Sequence, residues 1–523
     1  MKLCKLLSMI STIAIVNYSE AQERSDHWSP LSGLCYEVSM QGSSSWGEQT
    51  PLWLNANKYG LSSLDKGNGY VRAKVVRPIE KDSLRRWGIG YTLDIAGAVN
   101  YTSNVIVQQA YVEGRWRKGT LTIGSKEYPM ELKNQQLSSG SQTLGINARP
   151  VPQVRIALPD YWHIPLVKGW IAIKGHIAYG RFTDDNWQTT FTGLNSSYTE
   201  DVLYHSKAGY IWIGNPKPGK HFSFEIGLEM ASQFGGETHI VTSGGTTYTI
   251  ANNSGFKAFW NAFVPGGSDI TEDEYKNVEG NQVGSWVMRV NIEYPSFYVG
   301  AYADHFFEDH SAMLFLDYDG YGEGTEWNEK VDNKYLLYDL KDIMLGVELK
   351  LKRFRPLDNV VFEYLYTKYQ SGAIYHDHTQ TMSDHVGGRD NYYNHHIYNA
   401  WQHWGQVMGN PLYLSPLYNS DGCIEVKDNR FVAFHIGISG EPSDFLGYRL
   451  LATIRRGYGT YNTPYVDPKK NFSLLAEVNY SFPDCSKFKG WSLTGAFGLD
   501  GGNWIGNNGG FQLTIKKAGL LKK

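Results

Sequence analysis

The chain has 523 residues and a formal charge of −3 at pH 7; 19% of its residues are charged and 14% are aromatic. A balance this close to neutral offers no electrostatic footprint for nucleic acid, and beyond the N-terminal leader no stretch approaches the ~18 uncharged apolar residues that a spanning helix needs. Length alone would allow three or four ordinary domains, but no linker rich in Pro, Ser or charge divides the chain.

Lys2 and Lys5 precede a mostly apolar run from Leu6 to Val16, and Ser19-Glu20-Ala21 places small residues where a signal peptidase reads. Residues 1–21 therefore read as a cleaved secretion signal and 22–523 as a single mature domain. Cys4 lies before the apolar run and gives no lipoprotein anchor. The mature chain keeps Cys35, Cys423 and Cys485, an odd set that forms no full disulfide framework and lacks metal-ligand spacing.

After the leader the chain alternates apolar and polar side chains in segments of about ten residues. In Phe222-Ser-Phe-Glu-Ile-Gly-Leu-Glu-Met230 the apolar residues share one face and Ser223, Glu225, Gly227 and Glu229 the other. The pattern predicts strands over 34–43, 67–78, 86–98, 105–117, 119–124, 147–157, 169–182, 203–214 and 221–234. It continues over 285–294, 297–306, 339–351, 359–370, 429–440, 445–457, 470–482, 490–501 and 510–517. Short links such as Arg117-Lys118, Pro295-Ser296 and Glu441-Pro-Ser-Asp444 alternate with long ones near 235–284, 307–338 and 371–428. Behind a secretion signal this rhythm predicts an all-β, transmembrane antiparallel barrel of eighteen strands in the outer membrane, long loops outward. Sixteen strands is the alternative if 119–124 and 147–157 do not form, and a secreted multi-sandwich protein is the alternative architecture.

The polar faces carry Lys174, His176, Glu225, Glu229, Arg289, Glu293, Glu348, Lys350, Glu363, His435 and Glu477. In a water-lined barrel these read as an internal ion-pair and hydrogen-bond network. Thr453 and His435 fall on neighbouring strands, but no Gly-x-Ser-x-Gly elbow accompanies them, and a hydrolase is the third-ranked reading.

The 371–428 loop holds His376, His378, His385, His395, His396 and His403 among Asp377, Asp384 and Asp390. Imidazole and carboxylate suit zinc, but the spacing lacks a metal pattern, so no metal and no cofactor is expected. Hydrogen bonding within a polar plug is the simpler reading of the histidines. Tyr392, Tyr393, Tyr398, Trp401 and Trp404 beside Arg389, Asp390, Asn391 and Asn394 combine flat apolar faces with polar groups, the two chemistries that a sugar ring presents. An acidic sugar would add a bidentate partner for Arg389. Each aromatic taken singly is explained by loop packing; the cluster points to saccharide.

Gly388-Arg-Asp-Asn-Tyr-Tyr-Asn-His-His-Ile-Tyr398, running on through Ala400-Trp401, Gly405 and Met408-Gly-Asn-Pro-Leu412 to Ser415-Pro416, resembles the Wzi-type capsule assembly family of Gram-negative outer membranes, in the form carried by Bacteroidetes. Thr122-Ile-Gly-Ser-Lys-Glu-Tyr-Pro129 matches the family's strand leading into a folded-in loop. The resemblance implies an eighteen-stranded, non-enzymatic surface lectin that holds exported capsular polysaccharide, with outer-membrane lipid and capsule export machinery as further partners. The enterobacterial form closes its barrel with a helical bundle, for which the segment after Gln22 is too short. Closure is therefore expected from inward-folded loops: 44–66, with Trp46, Trp53 and Asn55, and 125–146, with Lys126 and Glu127. The polysaccharide site is expected at Arg389, Asp390, Asn391, Tyr392, Tyr393, Asn394, His395, His396, Tyr398, Trp401 and Trp404. A pore for small solutes or oligosaccharides is the second functional reading.

Overall fold

The computed structural model describes residues 29–521 apart from 194, 218–220, 243–245, 265–269, 272–273, 276–279, 309–315, 337–340, 376–378 and 382–385. The signal segment 1–21 lies outside the described residues, as do His376, Asp377, His378, Asp384 and His385.

Eighteen strands form one antiparallel sheet. They are β1 (Cys35–Trp46), β2 (Gly67–Arg77), β3 (Trp87–Val99), β4 (Val105–Trp116), β5 (Gly119–Ser125), β6 (Gln153–His163), β7 (Ile171–Arg181), β8 (Leu203–Gly214) and β9 (Phe222–Phe234). The second half contains β10 (Asn281–Glu293), β11 (Phe297–Glu308), β12 (Ile343–Leu351), β13 (Asn359–Tyr366), β14 (Phe431–Gly440), β15 (Leu446–Gly459), β16 (Pro464–Ser481), β17 (Trp491–Gly502) and β18 (Asn508–Leu520). Each pairs with its chain neighbours, and β1 pairs with β18 from Cys35↔Leu520 to Trp46↔Gly509. The sheet is thus a closed barrel without a free edge. A multi-sandwich arrangement and the sixteen-strand count are both excluded.

The wall is inverted relative to a water-soluble protein. On β1, Met40 is 60% exposed and Val38 44%, whereas Ser39, Gln41 and Ser43 are buried. The same reversal sets Leu93 and Ile95 outward against buried Thr92 and Asp94. Apolar side chains face outward and polar ones inward, which is stable when lipid is the outer solvent. No helix among the described residues is long and apolar enough to cross a membrane. Exposed Trp116, Trp162, Trp170, Tyr294, Phe354, Phe488 and Trp491 cluster by the short turns, the place of an interfacial aromatic girdle.

Turns such as 117–118, 294–296 and 441–445 lie at one end, and 47–66, 126–152, 182–202, 235–280, 309–342 and 367–430 at the other. β6 begins at Gln153 rather than near 147. Pro150 and Pro152 lack N–H donors, so residues 147–152 stay out of the ladder. β16 begins at Pro464, earlier than expected, because Gly459 still pairs with Pro464 beyond a bulge.

Among the described residues three short α-helices, α1 (Leu52–Asn55), α2 (Asp185–Thr192) and α3 (Phe256–Phe263), decorate the long-loop end. α3 lies against the outer side of the wall: Ala258 and Ala262 pack on Phe234, and Phe259 O accepts from Tyr179 at 2.8 Å. Lys207, which alternation aims outward, donates to the Ala262 carbonyl at 3.2 Å and to that of Phe263. The helix C-terminus thereby neutralises a cation that would otherwise meet lipid. Phe256 and Trp260 form its exposed stripe at 87% and 56%.

Candidate functional site at the long-loop end

The lumen is filled from the long-loop end. The 126–152 connection descends along the wall and returns, and its polar groups meet polar strand positions almost one for one. Leu132 O accepts from Arg289 at 2.7 Å, Asn134 donates to Glu348 at 2.8 Å, and Gln136 O accepts from Arg449 at 3.1 Å. Higher in the lumen, Ser138 and the Ser139 N–H donate to Glu363 at 2.6 and 2.8 Å. The Gln142 N–H reaches Asp304 at 3.1 Å. Lys133 is held 2.8 Å from Asp304; burial alone would lower its pKa, but Asp304, with Glu229 and Glu363, more than offsets this and raises it. A polar loop can fill a lumen only with such matching, since an unmatched buried group costs ~1–3 kcal/mol.

The expected plug residues divide. Trp53 and Asn55, on α1, are buried in the lumen, and Trp53 Nε1 donates to Thr453 at 3.1 Å. Lys126 pairs with Glu113 at 2.5 Å, and Glu127 accepts from Gln108 and Gln109 at 2.9 and 3.0 Å, both against the inner wall. Trp46 differs. It closes β1, stands 51% exposed and packs against Phe511, with ring centroids 5.7 Å apart. Its even-numbered strand position turns it outward, a consequence of β1 running to 46 rather than 43.

The 367–430 connection folds onto the first plug segment. Gly145 N–H donates to Met408 O at 3.0 Å, and a Cβ on Gly145 would lie 2.6 Å from Gly409 O, so the two backbones approach where only glycine fits. Tyr393 donates to Gln142 O, and Tyr413 donates to Gln142 Oε1 at 3.1 Å. Arg455 Nη1 reaches Asp428 at 2.8 Å and its Nε donates to Leu412 O at 2.8 Å. Tyr392, Tyr393, Tyr398 and Trp401 are buried; they are the apolar centre of the plug and have no access to the outer surface. Phe306 meets both Tyr392 and Tyr393 edge-on.

Two histidines of this loop are held neutral. His403 Nδ1 donates to Arg149 O at 2.9 Å while Nε2 accepts the Thr183 N–H at 3.2 Å; burial lowers its pKa, although Asp184 opposes this. His395 Nδ1 accepts the Ile397 N–H at 3.1 Å, and burial, aided by His396 beside it, pulls its pKa down to about 3. Among the described residues no group of three or more His, Cys, Asp or Glu could hold a metal. His435 donates from Nε2 to Leu137 O at 2.8 Å and contacts Thr453 at 2.7 Å through Nδ1. Both side chains are buried beneath Trp53, so this pair braces the plug.

Arg389 and His396 are exposed; Asp390, Asn391, Asn394, His395 and Trp404 are half-buried. Asn394 clasps Val426 through its N–H and its carbonyl, at 2.8 and 2.9 Å. Trp404 lies under the Arg149 guanidinium, 4.2 Å from its ring. Arg389 joins residues that the loop motif did not reveal. Its guanidinium stands 4.3 Å over Tyr461 and that of Arg430 3.7 Å over the same ring. Lys368 and Arg456 lie 4.3 and 5.5 Å from the Tyr458 ring. Tyr461 OH donates to Tyr369 O at 2.9 Å, fixing this rim above β13–β15. None of Lys368, Arg389, Arg430 and Arg456 forms an ion pair with a described carboxylate. In the sequence only Lys368 adjoins a tyrosine, Tyr369, and Arg456 stands two positions before Tyr458, so no shared local pattern marks these four cations and folding alone brings them together.

No protein-family profile and no curated protein matches the chain. Among solved structures it is similar to Wzi of Escherichia coli, described as an outer-membrane, carbohydrate-binding β-barrel involved in group 1 capsule assembly. The identity is 11%, over 93% of this chain and 85% of that one, with a TM-score of 0.51. It is also similar to OccAB4 of Acinetobacter baumannii, at 9% identity, 94% and 99% coverage and a TM-score of 0.43. OprD of Pseudomonas aeruginosa gives 9% identity, 94% and 96% coverage and a TM-score of 0.43. At such identities the likeness is one of fold: the chain is an eighteen-stranded barrel of the outer-membrane type, distantly related in structure to Wzi.

Proposed function

We propose that this protein is a non-enzymatic outer-membrane lectin that fastens an acidic surface polysaccharide, of the capsular kind, to the cell. The observation that carries this reading is the rim around Tyr461. There Lys368, Arg389, Arg430 and Arg456 rest on tyrosine faces without a carboxylate partner among the described residues. Such cations accept uronate or similar groups through charge-assisted hydrogen bonds, while exposed ring surface covers the apolar patches of the sugar. The similar structure of Wzi, a carbohydrate-binding barrel involved in capsule assembly, supports this reading.

In this reading the barrel is a passive mount. Its plug is braced to the wall from Leu132 to Thr143, and the long-loop end faces outward. Each rim contact can be weak, because one polymer meets many copies of the protein and avidity supplies the hold. His396 and Trp404 extend the surface, whereas the buried Tyr392, Tyr393, Tyr398 and Trp401 shape the loop that presents Arg389.

The test compares polysaccharide on washed cells with that released into the medium. A deletion strain is complemented with wild type or with the triple variant Arg389→Gln, Arg430→Gln, Tyr461→Ala. The proposal expects normal total polymer, shifted into the medium, for both the deletion and the triple variant. Unchanged retention at normal protein abundance overturns it. Steady ion conductance by the purified wild-type barrel would favour the pore reading instead.

A further inference from the structure

Arg155 stands apart among the arginines of the barrel interior. Arg72, Arg289, Arg449 and Arg455 each hold a carboxylate: Asp94, Glu348, Glu477 and Asp428 respectively. Arg155, two positions into β6 and on the inward face, makes no ion pair and no hydrogen bond with any described residue. Its Nε is buried without an acceptor among the described residues, and its guanidinium carbon stands 3.8 Å over the face of Tyr128. It borders a cavity of about 110 Å³ between the plug and the wall of β6–β8.

The rest of that lining is also rich in donors. Trp401 and Arg149 border the cavity, and Trp401 Nε1 and Arg149 Nε are buried without acceptors among the described residues. Lys126 borders it too, paired with Glu113 at 2.5 Å. Glu131 is the only carboxylate of the lining and is bound to Lys174 at 2.5 Å. Buried donors call for acceptors, and a buried guanidinium calls for an anion shaped to receive two parallel N–H groups. We infer that this lumenal cavity is a binding site for one oxyanion group, a carboxylate, phosphate or sulfate, gripped by Arg155 with Trp401 and Arg149 as further donors. The group arrives either as a free small anion or as the acidic substituent of a sugar. The inference does not depend on the rim reading, since no rim residue lines the cavity.

The experiment measures thermal unfolding of the purified full-length barrel in detergent with inorganic phosphate, glucuronate or, as neutral control, glucose. Wild type should gain about 2 °C or more in Tm with phosphate or glucuronate and nothing with glucose. A response to glucuronate alone identifies an acidic sugar, and a response to both identifies a general oxyanion site. Arg155→Gln should lose the response and, relieved of an unpaired cation, unfold no lower than wild type without anion. Arg155→Lys should keep part of it. Gln153→Glu covers the case in which Arg155→Gln does not fold: Gln153 lines the same cavity two residues up the strand, and a resident carboxylate there should raise Tm and remove the anion response. No response in wild type, or an equal response in Arg155→Gln or Gln153→Glu, overturns the inference.

Discussion

Glu363 receives the backbone N–H of Ser139 at 2.8 Å, tying a strand of the wall to a loop that is distant in sequence. The same carboxylate takes the Ser138 hydroxyl at 2.6 Å and that of Tyr302 at 2.5 Å. Glu363→Ala leaves these donors buried and unmatched, at about 1–3 kcal/mol each. The expected outcome is a lower Tm and a rise in single-channel conductance as the 126–152 segment loosens. Glu363→Gln keeps one acceptor and should fall between. A variant as stable and as closed as wild type would mean that this anchor is redundant.

Asp428 provides the matching anchor for the second plug segment. It binds Arg455 through Oδ2 and accepts the Gly459 N–H at 3.1 Å through Oδ1. Removing one partner of a buried pair typically costs about 3–5 kcal/mol because the other charge stays behind. Asp428→Ala should therefore destabilise more than Arg455→Met with Asp428→Leu, which removes both charges. Chemical unfolding of the variants in one detergent orders them directly.

Acid should open the plug. His395 and His403 are held neutral when packed, with pKa values below 6.5 in both and about 3 for His395. A released loop takes up these protons near pH 6.5, whereas the packed loop resists. Their contribution is complete above pH 6.5 and falls as pH drops from there towards 3, by at most ~1.4 kcal/mol per pH unit and histidine. Protease cleavage within 391–428 should rise as pH falls below 6, and His395→Gln with His403→Gln should flatten that profile.

Rim binding should also be sensitive to salt. Exposed cations lose most of their reach as the Debye length shrinks from about 10 Å at 0.1 M to about 3 Å at 1 M salt. Retention of an acidic polymer by purified protein should weaken several-fold between those conditions, while a neutral polymer should show little change. Arg430→Lys, which keeps charge but loses the planar fork over Tyr461, should weaken binding less than Arg430→Gln.

Alternation by itself determined the wall. A two-residue period assigns every strand side chain to lipid or lumen without reference to distant partners, so the eighteen strands and their polar inner faces could be read directly from positions such as Met40 against Gln41. The family resemblance, not local periodicity, marked 125–146 and 44–66 as inward, and within the latter Trp53 turns in whereas Trp46 does not. Tertiary structure alone decided the roles of the loop residues. Tyr392, Tyr393 and Trp401 have the composition of a sugar platform, yet Phe306, Gln142 and Tyr413 enclose them. Arg389 becomes part of a rim because Tyr461 arrives from another connection and Arg430 from the far end of its own. Arg155 is distinguished from Arg289 by whether a carboxylate on a nearby strand lies within reach. Local periodicity reports the solvent of each face, whereas burial and charge pairing in a loop depend on chain segments hundreds of residues apart.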